Sequence, residues 1–86
     1  MADETADINV TEFTKNSRET VRVGLSEFKG HKLLQIRAWV SRDDGTAIPT
    51  RAGIALRVEL IADLRAALDQ VERKARELGW LREGGA

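Results

Sequence analysis

Apolar and polar residues alternate from Thr20 to Leu25, with Val21, Val23 and Leu25 on one side and Arg22 and Gly24 on the other. Successive side chains of a strand point to opposite faces, so this period of two predicts a strand with one buried face. Phe28-Lys29-Gly30-His31 reads as a turn in which Gly30 takes a positive φ. Leu33 to Val40 predicts a second strand. Its apolar side carries Leu34, Ile36, Ala38 and Val40, and its other side Leu33, Gln35, Arg37 and Trp39. Asp43-Asp44-Gly45 is a strong turn signal and points to a hairpin. Thr46 to Ile48 predicts a short third strand, punctuated by Pro49. Proline lacks the donor that a central ladder needs, so this strand belongs at an edge or ends there. Gly53 to Arg57 predicts a fourth strand with Ile54 and Leu56 inward.

The period then changes. From Val58 to Leu78 there is no Gly or Pro, and apolar residues recur at Ile61, Leu64, Leu68, Val71, Ala75 and Leu78. Intervals of three and four residues draw one apolar stripe along a helix, which Gly79 stops. Such a helix runs roughly 30 Å at 1.5 Å per residue, long for one small sheet to cover. The stripe is spaced like a coiled-coil seam, so Ile61, Leu64, Leu68 and Val71 are candidates for contact with a partner's helix. The alternative is that the stripe covers its own sheet, and Trp80-Leu81 could fold back on it. The fold class expected is α+β: a four-stranded antiparallel meander followed by one long C-terminal helix, β-β-β-β-α, in a homodimer. Residues 1–18 show no sustained period and are expected as a disordered acidic tail. The folded domain is expected over 19–80, with a frayed end over 81–86.

Composition supports an oligomer. A chain of 86 residues makes one domain and buries only about 60% of its unfolded surface. There is no cysteine, so neither a disulfide nor a cysteine-based zinc site can reinforce the core. Oligomerisation is the remaining common remedy. No apolar run approaches the roughly 18 residues of a membrane span, and the acidic, polar N-terminus has no secretory pattern. A cytoplasmic location, nucleoid-associated in a bacterium, is the expectation.

The formal net charge is zero, but its distribution is not even. Residues 1–17 carry four acidic groups against Lys15, and 18–57 carry eight basic groups against four acidic ones. Residues 58–86 nearly balance, with five basic and six acidic groups. A phosphate backbone feels the local field, so the basic middle segment is a candidate nucleic-acid surface.

Several elements of that segment resemble the positive cofactor four family of transcriptional coactivators. They are the Phe28-Lys29-Gly30 turn, Ile36-Arg37 followed by an aromatic residue, the Asp44-Gly45 turn, and Pro49-x-Arg51-x-Gly53-Ile54-x-Leu56. The resemblance covers about residues 20–75, and the order of elements read above agrees with that family's fold. It implies a homodimer whose curved sheets present a groove to single-stranded DNA with little sequence preference. The chain looks like the shorter bacterial or phage kind, without a Ser-rich regulatory tail. By the same resemblance, Phe28 matches a base-stacking position, Arg37 the Ile-Arg position, and Arg51 the basic residue after the proline. The sequence also departs from the family. Val40 stands where relatives carry a second aromatic, Ala52 where they carry a lysine, and His31 where many carry a lysine.

The residues themselves make that chemistry reasonable. Sequence-tolerant single-strand binding needs cations along the phosphates and flat side chains for bases to stack on. Phe28 with Lys29, and Arg37 with Trp39 on one side of a strand, supply both kinds. His31, Lys32 and Arg22 are flanking candidates. Each has an ordinary alternative: Phe28 as a corner of the core, Arg37 in a salt bridge to Glu19 or Glu27, Trp39 as packing. There is no Gly-rich phosphate loop before a lysine and no nucleophile set with supporting context, so the chain is not expected to be an enzyme or to need a cofactor or metal. The expected function is non-sequence-specific binding of single-stranded DNA or RNA, in transcription or DNA maintenance alongside transcription or repair machinery. The alternatives are a protein-interaction module on the same fold, or a binder of duplex nucleic acid.

Overall fold

The computed structural model describes residues 5–81. Four strands form one antiparallel meander in chain order: β1 (Thr5–Thr14), β2 (Glu19–Phe28), β3 (His31–Ser41) and β4 (Ala47–Arg57). A single 3-10 turn (Val58–Leu60) leads into helix α1 (Ile61–Glu77). Four strands and a terminal helix agree with the expected fold class, but two of the strands are not the expected ones.

The first correction concerns the tail. Residues 5–14 are not loose: they pair with β2 from Thr5 opposite Phe28 to Thr14 opposite Thr20. The pairing slips by one residue between Asn9 and Thr11, a β-bulge at Val10. That bulge puts Ile8 and Phe13 on the same face although they are an odd number of residues apart, which erases the alternation in the sequence. Residues 1–4 lie outside the described residues, as do 82–86 of the expected frayed end. The second correction is that the two strands expected over 46–48 and 53–57 are instead one strand, β4, which begins at Ala47 and leaves Thr46 outside it. Pro49 faces Trp39 and Gly53 faces Arg37, so residues 50–52 bulge out opposite Ala38. β4 lies at the sheet edge, where a missing donor costs nothing.

Side-chain hydrogen bonds tie the turns. Between β1 and β2, Asn16 Oδ1 accepts from the backbone N–H of Arg18 and of Glu19, both at 2.9 Å. The Glu19 carboxylate accepts from Lys15 Nζ at 2.8 Å and Asn16 Nδ2 at 2.9 Å, which holds its pKa below the usual carboxylate range. Between β2 and β3, Lys29 and Gly30 both take positive φ (50° and 83°), the primed two-residue turn that matches strand twist. Between β3 and β4, Asp44 Oδ1 accepts from the Thr46 hydroxyl at 2.7 Å and its N–H at 3.0 Å, again lowering the carboxyl pKa.

The register sorts the sheet into two faces. Val21, Val23 and Leu25 share one with Leu34, Ile36, Ala38, Ile54 and Leu56, and Ile8 and Phe13 of β1 join them. This apolar face is poorly covered: among its residues only Leu34 and Ala38 are buried, while Ile8 and Phe13 are each 58% exposed. The helix does not cover it. α1 departs from the sheet through the 3-10 turn, with Ile61 and Leu64 half-buried and Leu68 and Val71 exposed. Its end is a Schellman motif, in which the N–H of Gly79 reaches Arg76 O and that of Trp80 reaches Ala75 O. The Trp80 side chain does not fold back on the stripe; it is 80% exposed. The radius of gyration is 15.7 Å, against about 12 Å for a compact domain of this length.

Candidate nucleic-acid interface

The opposite, polar face carries the candidate site. Strand alternation sends Arg22, Gly24, Ser26 and Phe28 of β2 to this side, together with His31, Gln35, Arg37 and Trp39 of β3. Arg22 and Arg37 are direct cross-strand partners, so two positively charged residues sit at adjacent positions of this face. The Arg22 guanidinium lies over the Trp39 ring, 4.1 Å from its centroid. Arg37 Nη1 donates to the Thr50 carbonyl at 2.8 Å, and the Thr50 hydroxyl donates to the Ala38 carbonyl at 2.9 Å. The β4 bulge thus holds Arg37, which makes no ion pair with Glu19 or Glu27. Around them runs a groove of about 380 Å³ lined by Asp7, Asn9, Arg22, Gln35, Arg37 and Trp39 among others.

Two glycines let the strands approach closely beside this groove. A Cβ on Gly24 would stand 2.1 Å from the Ile8 carbonyl oxygen, and one on Gly53 would stand 2.5 Å from that of Ile36. Each lies beside a bulge in the neighbouring pairing, where the strands close in on one another. A side chain at either place would force the backbone to shift.

The remaining candidates are spread along the same face or leave it. Phe28 is 46% exposed at the far end of β2, with Lys29 Nζ 5.2 Å from its ring centroid and His31 directly across the pair. Arg51 is exposed on the β4 bulge. Lys32 falls on the other face: it pairs with Glu27 across the strands, Nζ to Oε2 at 3.4 Å. The sequence reading missed Glu12, whose Oε1 lies 3.3 Å from Arg22 Nε, because β1 was not expected as a strand. It also missed Ser26, whose hydroxyl accepts from Gln35 Nε2 at 2.9 Å. The period-two pattern of β3 had already placed Gln35 on this side. Among the described residues no cluster of metal-ligating side chains occurs, and no helix is long and apolar enough to cross a membrane.

With that geometry in place, the chain can be compared with known proteins. The sequence pattern of the family described as Transcriptional Coactivator p15 (PC4) matches residues 15–67. No curated protein matches the chain. Among solved structures, a PC4 homologue from Burkholderia pseudomallei superposes with a TM-score of 0.73 at 26% identity, covering 79% of this chain and 92% of that one. The bacteriophage T5 homologue of the eukaryotic transcription coactivator PC4, implicated in recombination-dependent DNA replication, gives a TM-score of 0.53 at 25% identity, covering 90% and 98%. The family match spans most of the folded chain, including β2, β3, β4 and the first turns of α1. This chain belongs to the PC4 family.

Proposed function

We propose that the protein is a non-enzymatic homodimer that binds single-stranded nucleic acid on the polar face of its sheet with little sequence preference. The observation that carries this reading is the alignment of Arg22, Arg37 and Trp39 on the face that also holds Phe28 and His31. From His31 to Trp39 this face extends roughly 25 Å along β3, the length of about seven stacked nucleotides. It offers cations at one end and an exposed ring beside a lysine at the other, with Gln35, Ser26 and Leu33 in between. That combination tolerates sequence, because every base has a face to stack and every nucleotide a phosphate.

Membership in the PC4 family supports a nucleic-acid partner, and the naming of the phage homologue supports a role in DNA metabolism. The bare apolar face and the unpaired helix stripe support the homodimer: a second copy would bury both. The affinity should be modest, since Val40 and Ala52 remove an aromatic and a cation that relatives carry. A fluorescence-anisotropy titration with an oligo-dT of about twenty nucleotides tests the reading. At low salt it should give binding at micromolar protein, with duplex of the same length competing poorly. No binding at that concentration would overturn it, and equal competition would reassign the ligand to duplex.

A further inference from the structure

The bulged strand β1 does more than complete the sheet. Glu12 is the direct cross-strand partner of Arg22, which in turn is the partner of Arg37. Like charges directly opposite in a sheet repel one another. Here two arginines are paired across β2 and β3, and one carboxylate stands against the first of them. The Glu12 carboxylate approaches Arg22 Nε at 3.3 Å, yet that nitrogen is buried and its contact lacks hydrogen-bond geometry. Arg22 is therefore held by charge and by the Trp39 ring, not by a saturated hydrogen-bond network. Asp7 lines the same groove, but Glu12 is the carboxylate in ion-pair contact with Arg22.

On the reading that this face binds single strands, we infer that Glu12 is a built-in competitor for phosphate: it occupies Arg22, holds the guanidinium over Trp39, and is displaced when a strand binds. Glu12 touches no ligand in this scheme and acts as a positioning residue through Arg22. While the carboxylate is present, Arg22 and Glu12 together add no net charge, so Arg22 neutralises a phosphate only at the expense of its own partner. Removing the negative charge leaves Arg22 and Arg37 as two uncompensated cations at paired positions of neighbouring strands. The strand then meets a ready anion site next to an aromatic ring.

The test compares wild type with Glu12→Gln, Arg22→Gln and the double variant, in anisotropy titrations with oligo-dT over a range of salt. Glu12 is exposed, so the isosteric change leaves the fold intact. Glu12→Gln should bind roughly two- to fivefold more tightly at low salt, the scale of one exposed charge pair. The plot of log affinity against log salt should steepen by about 0.7, the increment for one more phosphate neutralised on a single strand. A role confined to stability would not change that slope. In the Arg22→Gln background, Glu12→Gln should bring no gain. If wild type binds while Glu12→Gln matches it in affinity and slope, or if the gain persists without Arg22, the competitor role is overturned and the proposed function stands. If neither wild type nor variant binds, both readings fall.

Discussion

Gly24 shows how a single atom constrains this sheet. Its position on the polar face lies against the Ile8 carbonyl, so any side chain would collide with backbone that cannot swing away. Replacing it with alanine should destabilise the protein by about 1–3 kcal/mol, the usual cost of forcing one extra carbon into a filled space. Chemical denaturation would measure this, and an unchanged midpoint would mean that β1 does not close on β2 as described. Arg37 makes the complementary case. Its side was legible from the alternation of β3, but its partner was not. The expected alternatives were Glu19 and Glu27; the observed one is a backbone carbonyl presented by a bulge that no periodicity announces. Lys32 also shows the limit of reading by proximity in sequence. It neighbours His31 but points to the opposite face, as alternation requires.

The elements were legible where their period is regular and obscured where a bulge interrupts it. β2, β3 and the helix follow their patterns closely, the helix expected over 58–78 starting after a 3-10 turn and ending one residue early at Glu77. β1 was missed because Ile8, Val10 and Phe13 fall out of phase across the bulge at Val10. β4 was divided because Pro49 and Gly53 are ordinary strand breakers, yet here they flank an excursion of one continuous edge strand. The helix raises a further expectation. Leu68 is 56% and Val71 is 65% exposed, on the stripe whose spacing fits a helix partner. In sedimentation at low micromolar concentration the wild type should be a dimer, and Leu68→Asp should shift it to monomer. A monomeric wild type would contradict the homodimer.

As a whole, the chain is a thin layer with a helix standing off it, 52 by 37 by 19 Å. An isolated copy leaves most of one sheet face and the helix stripe in contact with water, and among the described residues no side chain reaches full burial. That economy was foreseeable from 86 residues without cysteine, as was the charge contrast between the basic middle and the acidic start. The fold places those two segments against each other: Asp7 of β1 lines the groove that the arginines of β2 and β3 build, and Glu12 pairs with Arg22 beside it. Charge separation along the sequence thus becomes charge opposition in space. Under the proposed function, the apolar face is left for a second copy and the polar face for a ligand.

The two tryptophans allow the polar face to be tested directly. Trp39 lies in the groove under Arg22, while Trp80 is exposed beyond the end of α1. Each gives one indole N–H signal in a nitrogen–proton correlation spectrum, assignable with Trp80→Phe. On titration with oligo-dT the Trp39 signal should move, together with the backbone amides of Gln35 and Gly53, while the Trp80 signal stays in place. Movement at Trp80 and along α1 with Trp39 unchanged would contradict the account and place the ligand elsewhere on the molecule.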